Sequence, residues 1–153
     1  MIHLDSSDRK LLTFLQENAK TNIGKLCSAL NLSKTPVYKR IQRMENEGIV
    51  DRYVAVLNPN HLVGMVVFCT VSLENQRLET IKLFGEAIQE IPEVMECYLM
   101  GGASDFLLKV SVRDLEHYHE FSSSQLATIE NVAQIKSLFV LDVVKNSSVL
   151  PIY

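Results

Sequence analysis

The stretch Leu30-Asn-Leu-Ser-Lys-Thr-Pro-Val-Tyr-Lys-Arg-Ile-Gln-Arg-Met-Glu-Asn-Glu-Gly48 reads as a polar turn followed by a basic helix. Thr35 precedes proline, which biases it toward extended backbone, so Thr35 is the expected N-cap and Pro36 the first helical residue. Gly48 supplies a left-handed residue to end the helix. About twelve residues at 1.5 Å each span roughly 18 Å, a length that suits a DNA major groove.

Within this helix Val37, Ile41 and Met44 fall at i, i+4 and i+7 and form an apolar stripe directed at a core. The other side carries Lys39, Gln42, Arg43 and Asn46, with Tyr38 and Arg40 on the flanks and Ser33 and Lys34 just before the start. Arg and Lys can read guanine, Gln and Asn can read adenine, and the free amides of a helix start attract phosphate. An ordinary solvated amphipathic helix has the same pattern, so its neighbours decide between the two readings.

Those neighbours favour a DNA reader. Leu4-Asp5-Ser6-Ser7-Asp8 offers caps and early acids for a first helix that buries Leu11, Leu12, Phe14 and Leu15, and residues 18–22 break it. A second helix, Ile23 to Leu30, buries Ile23, Leu26, Cys27 and Leu30, and the turn Asn31-Leu32-Ser33-Lys34 leads into the basic helix. Two helices, a short turn and a basic third helix make a helix-turn-helix. After Gly48, Ile49 to Leu57 alternates well enough for a strand or small wing, from which Arg52 can touch DNA backbone.

Charge divides the chain in the same place. Residues 1–58 hold nine Lys/Arg against six Asp/Glu (net +3), and residues 59–153 hold six against twelve (net -6). A weakly basic head on an acidic body implies that only the head meets phosphate, and the overall charge of -3 excludes a general polyanion binder. With 47% hydrophobic residues, 153 residues are enough for a substantial core. The longest charge-free stretch, Tyr53 to Leu73, is interrupted by Asn58-Pro59-Asn60-His61 and leaves an apolar run too short to span a bilayer as a helix. Asp5 and Asp8 precede any apolar run, so no signal peptide is expected. Cys27, Cys69 and Cys97 are widely spaced and read as reduced thiols of a cytoplasmic protein.

The turn-rich Asn58-Pro59-Asn60-His61 is the expected boundary. Beyond it, Val66 to Leu73 is a strand; Leu78, Ile81, Phe84, Ile88 and Ile91 recur at helical spacing until Pro92; and two strands, Val94 to Met100 and Asp105 to Val112, flank Gly101-Gly102-Ala103-Ser104. The glycine pair is expected to supply the positive φ of a tight hairpin. Asp114 caps a helix through Leu126, and a last strand runs from Gln134 to Val144. The two helix-to-strand corners echo each other as Ile91-Pro-Glu-Val94 and Ile129-Glu-Asn-Val132. The order βαββαβ makes a ferredoxin-like sheet in an α+β chain. Two helices cover one face, so the other apolar face is expected to pair with a second copy, giving the two-fold dimer that a helix-turn-helix needs for two half-sites.

The chain resembles the Lrp/AsnC (leucine-responsive, or feast/famine) family of regulators. The resemblance rests on Leu32-Ser-Lys-Thr-Pro-Val37, Arg40-Ile-Gln-Arg-Met-Glu45, Gly48-Ile-Val50, Leu57-Asn-Pro59, Glu96-Cys-Tyr98, Asp105-Phe-Leu-Leu-Lys-Val110, Val140-Leu-Asp-Val-Val-Lys145 and Leu150-Pro151, and covers nearly the whole chain. It implies a winged helix-turn-helix over residues 1–50, a hinge strand over 51–61, and an effector-binding and oligomerisation domain over 62–153. It also implies dimers, often four in a ring, on double-stranded DNA in the nucleoid. The expected DNA contacts are Ser33, Lys34, Thr35, Pro36, Tyr38, Lys39, Arg40, Gln42, Arg43 and Arg52.

The resemblance further implies that an amino acid is sensed between regulatory domains, by the loop Met100, Gly101, Gly102, Ala103, Ser104 and Asp105 and by the opposing strand, here Gln134 and Ser137. Free amides in such a loop suit a carboxylate, and Asp105 suits an ammonium. The loop departs from the family pattern: Ala103 replaces a common acid and Gly101 a common hydroxyl residue. A plain hairpin turn with Asp105 as a strand cap therefore stands as the alternative.

No metal, organic cofactor or catalytic residue is expected. His117 and His119 are two apart on a helix and point in different directions. No phosphate-binding glycine loop or nucleophile elbow is present. Two other functions remain open at this stage: an effector-independent nucleoid-bridging protein, and a siroheme-decarboxylase-like enzyme subunit drawing on His61, His117, His119 and Arg113.

Overall fold

The computed structural model describes residues 3–57 and 64–152. The chain divides into two compact units, Met1–Val56 with Val144–Tyr153, and Leu57–Val143. The expected boundary at Asn58-Pro59-Asn60-His61 lies outside the described residues.

The first unit contains α1 (Ser6–Glu17), α2 (Ile23–Leu30) and α3 (Lys34–Asn46). Asp5 and Asp8 form a reciprocal capping box on α1: the Asp8 amide donates to Asp5 Oδ1 (2.7 Å) and the Asp5 amide to Asp8 Oδ2 (3.1 Å). Asn22 caps α2 by accepting from the Gly24 amide, and Asn31 ends it in the left-handed region at φ 51°. Helix α3 starts two residues earlier than the Thr35 cap predicts. Ser33 is its N-cap and Pro36 sits at the third helical position. Proline is tolerated there because none of the first four amides has an intrahelical acceptor. Gly48 has φ +68° and closes the helix, with the Ile49 and Val50 amides bonding back to Met44.

The three helices bury Leu11, Leu12, Leu26, Leu30, Val37 and Met44 as one core. Leu11, Val37 and Met44 are fully enclosed, each contributing about 1.5–3 kcal/mol of apolar burial. Ile41, Ile49 and Val50 pack around them, and so does Ile152 near the chain's end. Residues 144–153 were expected with the second region but group with the helices. The strand expected over Ile49 to Leu57 is not formed: residues 51–57 take no regular structure, and Val54, Val56 and Leu57 are exposed. A strand needs a partner, and alternation alone does not provide one.

The second unit is a four-stranded antiparallel sheet of β1 (Met65–Leu73), β2 (Val94–Leu99), β3 (Phe106–Val112) and β4 (Val132–Phe139), in the order β2-β3-β1-β4. Helices α4 (Leu78–Gln89) and α5 (Leu115–Phe121) and a π-helical turn (Ser122–Leu126) supply Phe84, Ile88, Tyr118, Phe121 and Leu126 to its core. Alternation in β1 sends Val67, Cys69 and Val71 into this core with no exposure. Phe84 and Phe106 stack at 4.4 Å between centroids. The two echoing corners close alike, by Val94 N–H to Ile91 C=O and Val132 N–H to Ile129 C=O. This is the ferredoxin-like arrangement expected from the order of elements.

Two boundaries and one face differ from expectation. The last strand ends at Phe139, since residues 140–144 have no ladder partner beyond the Val140 amide on Val66. The last helix leaves α geometry at Ser122, where Ser122, Ser123 and Ser124 bond back to main-chain carbonyls of His119 and Glu120. The open face of the sheet is mixed rather than apolar: beside Phe68, Leu107 and Leu138 lies an ion pair between Lys109 and Glu96 (2.8 Å), and Glu96 also accepts from the Tyr98 hydroxyl (2.6 Å).

Candidate nucleic-acid interface and effector loop

Because Val37 and Met44 are buried, the opposite side of α3 is turned outward. Ser33, Lys34, Thr35, Tyr38, Lys39 and Gln42 are exposed there, and Pro36 is half-buried. Arg40 and Arg43 behave differently. Arg40 donates to Asp5 and Asp8 (2.6 Å each), and Arg43 donates to the other oxygen of Asp8 (2.6 Å). Asp8 is 1% exposed. Burial pushes its carboxyl up in pKa, but the two guanidinium groups and the Asp5 amide outweigh that and hold it below the ordinary carboxylate range. Arg43 Nε is enclosed without a hydrogen-bond partner among the described residues. Two cations of the expected DNA face are thus joined to the cap of α1. Arg52 lies in the irregular segment after α3, with its Nε 3.8 Å from Asp51.

The capping acids were legible as caps, but their pairing with α3 was not. Thirty-five residues separate Asp5 from Arg40, and no local spacing signals such a contact.

The loop Met100–Asp105 is held at its ends. Met100 donates to the Asp105 carbonyl (2.8 Å) and Asp105 to the Val71 carbonyl (2.9 Å). The Asp105 carboxylate accepts from the Leu73 amide through Oδ2 at 2.7 Å. Between these ends Gly101, Gly102 and Ala103 are exposed, and Ser104 and Asp105 are half-buried. The glycines do not have the expected positive φ, and a Cβ on either would meet nothing within 4 Å.

On β4, Gln134 is paired with Ser72 and Ser137 with Cys69. Gln134 and Ser137 are three apart and point to opposite faces of the sheet, so the structure does not bring them together. Ser137 shares a hydrogen bond with the hydroxyl of the buried Tyr118, which also meets Cys69 Sγ at 3.3 Å. Gln134 lies instead on the row of Ser72, one step past the Val71–Phe106 pair and therefore level with Asp105. Ser72 is a member of this row that sequence reading missed; only the register reveals it.

His117 accepts from the Arg113 amide and stands 3.2 Å from Glu93, while His119 is exposed. His61 lies outside the described residues. None of the described helices is long and apolar enough to cross a membrane.

The model of the Lrp/AsnC ligand-binding domain matches residues 66–150, and that of a winged helix-turn-helix DNA-binding domain matches residues 4–51. The chain belongs to the Lrp/AsnC family. Its relatives include the Bkd operon transcriptional regulator of Pseudomonas aeruginosa, 38% identical over 99% of this chain and 100% of that one. An AsnC-family transcriptional regulator from Agrobacterium tumefaciens has the same fold (TM-score 0.90, 37% identity, 97% of each chain). So does a transcriptional regulator from Neisseria meningitidis solved as its L-methionine complex (TM-score 0.92, 31% identity, 97% of each chain). This Lrp/AsnC chain is accordingly a DNA-binding transcriptional regulator.

Proposed function

We propose that this regulator reads DNA with Ser33, Lys34, Thr35, Pro36, Tyr38, Lys39 and Gln42, and that an amino acid bound at the Asp105 row modulates it. The row Asp105–Ser72–Gln134 at the base of the loop carries the effector reading. It sets a carboxylate, a hydroxyl and an amide beside an exposed glycine loop with room for a ligand. The L-methionine complex of the Neisseria relative supports an amino acid as the class of effector. Ser137, turned toward Tyr118, is left out of this site.

The assembly is a homodimer through the mixed open face, with four dimers in the larger form, acting in the cytoplasm on the nucleoid. Each head has a net charge of only +3 over residues 1–58, so a single head binds weakly and linked heads supply the affinity. Ligand that prefers one assembly must then shift DNA affinity, by linkage.

A thermal-shift screen against the common amino acids, with light scattering in parallel, tests the reading. A selective rise in melting temperature with a change in mass is the expected result, because a ligand of the folded form stabilises it. A flat response across all of them would favour an effector-independent bridging protein.

A further inference from the structure

Asp8 stands at the centre of the one charged cluster that joins α1 to α3. One oxygen takes Arg40 and the other takes Arg43, each at 2.6 Å, and the half-buried Asp5 takes a second bond from the same nitrogen of Arg40. Two arginines face two aspartates, and Glu47 Oε2 stands a further 3.9 Å from Arg43 Nε, so the cluster carries no net positive charge. The carboxylate that anchors them is enclosed, so water does not screen it as it screens a surface pair. The Arg40 side chain is 26% exposed and that of Arg43 is 41% exposed.

We propose that Asp8 is a positioning residue for DNA binding: it withholds the charges of Arg40 and Arg43 from phosphate and leaves Lys34 and Lys39 as the phosphate contacts of α3. A free arginine on this helix would grip any duplex, because phosphate contacts carry no sequence information. Neutralising it from behind lowers non-specific affinity and leaves Tyr38 and Gln42 a larger share of the binding. The inference rests on α3 as the DNA-facing element, as proposed above.

The salt dependence of binding counts phosphate contacts directly, at about -0.9 in log K against log salt per neutralised phosphate. A structural role alone does not move that slope. The full-length protein is titrated with a mixed-sequence 30-base-pair duplex between 50 and 200 mM salt, with circular dichroism confirming folded protein at each point. Lys39→Gln is expected to flatten the slope by about 0.9 per engaged head. Arg40→Met and Arg43→Gln are expected to leave it unchanged. Asp8→Asn, which keeps shape and loses charge, is expected to steepen it, widening the ratio of affinities at 50 and 200 mM salt about 3.5-fold for each arginine released.

Flattening by Arg40→Met or Arg43→Gln equal to that of Lys39→Gln would place those arginines on phosphate and overturn the proposal, whether or not Asp8→Asn folds. An unchanged slope in Lys39→Gln would instead remove α3 from the DNA face, and the proposal with it.

Discussion

Gln16 holds Leu150 by both of its main-chain groups: the Leu150 amide donates to Gln16 Oε1 at 2.6 Å, and Gln16 Nε2 donates to the Leu150 carbonyl at 3.2 Å. A side-chain amide thereby does what a neighbouring strand would do for the final segment. Two residues on, Ile152 packs against the helical core. Gln16→Ala removes both bonds, at a cost of about 1 kcal/mol for each. The expected outcome is loss of hydrogen-exchange protection at the Leu150 amide and a lower melting temperature for the helical unit. Retained protection would assign the anchoring to Ile152 alone.

Asp8→Ala takes the close carboxylate from Arg43 and leaves Arg40 with Asp5 alone. Its cost should fall between the ~1 kcal/mol of an exposed pair and the ~3–5 kcal/mol of a buried one, since Asp8 is enclosed and its partners are not. The sign with pH follows from the depressed carboxyl: this stabilisation is present above the unfolded value near 3.8 and is lost as pH falls through the lower folded value. Acid titration of the wild type and of Asp8→Asn should converge below that range. Curves that stay apart there would contradict the coupling.

Tyr53 and Tyr118 should both titrate late. Burial, then the Glu45 carboxylate, pushes Tyr53 up to about 12; burial, then the contact with Cys69, pushes Tyr118 up to about 12. A raised folded value means stability is intact below the unfolded value near 10 and is lost as pH rises through about 12. Ultraviolet titration is expected to find Tyr53 and Tyr118 still largely un-ionised at pH 11. Tyr118→Phe should remove one of them.

Gly64 has a plain steric requirement. A Cβ there would sit 1.4 Å from the carbonyl oxygen of Arg113, a main-chain atom that cannot swing aside. Gly64→Ala must displace the start of β1 against the end of β3, at about 1–3 kcal/mol or more. Gly102→Ala meets no atom and is expected to be silent in the isolated fold. Equal melting temperatures for the two variants would refute this.

Periodicity made the cores readable. The i, i+4, i+7 stripe of α3 and the period-2 alternation of β1 each report a face that one element must bury, and Val37, Met44, Val67, Cys69 and Val71 are all enclosed. The family resemblance supplied the function, which helix pattern alone left undecided. Pairings between distant segments were invisible because nothing local encodes them: Asp8 with Arg43, Gln16 with Leu150, Ser137 with Tyr118. The Ile49 to Leu57 alternation, which suggested a strand or small wing, did not give a strand for the complementary reason: it has no partner strand among the described residues.

Asp105 caps a strand end, and the amino-acid contact proposed for it can be separated from that by a single substitution pair. Its Oδ2 caps β1 by accepting the Leu73 amide at 2.7 Å, and its negative charge suits an ammonium. Asp105→Asn keeps an acceptor oxygen for Leu73 and removes the charge, so melting temperature should hardly change while the amino-acid-dependent thermal shift disappears. Asp105→Ala removes both and leaves the Leu73 amide unpaired, which costs about 1–3 kcal/mol where water cannot reach it. Loss of the ligand response in both variants, with loss of stability only in the alanine, is the outcome expected from the proposed site. A ligand response that survives in the asparagine variant would reduce Asp105 to a strand cap and move the ammonium partner elsewhere.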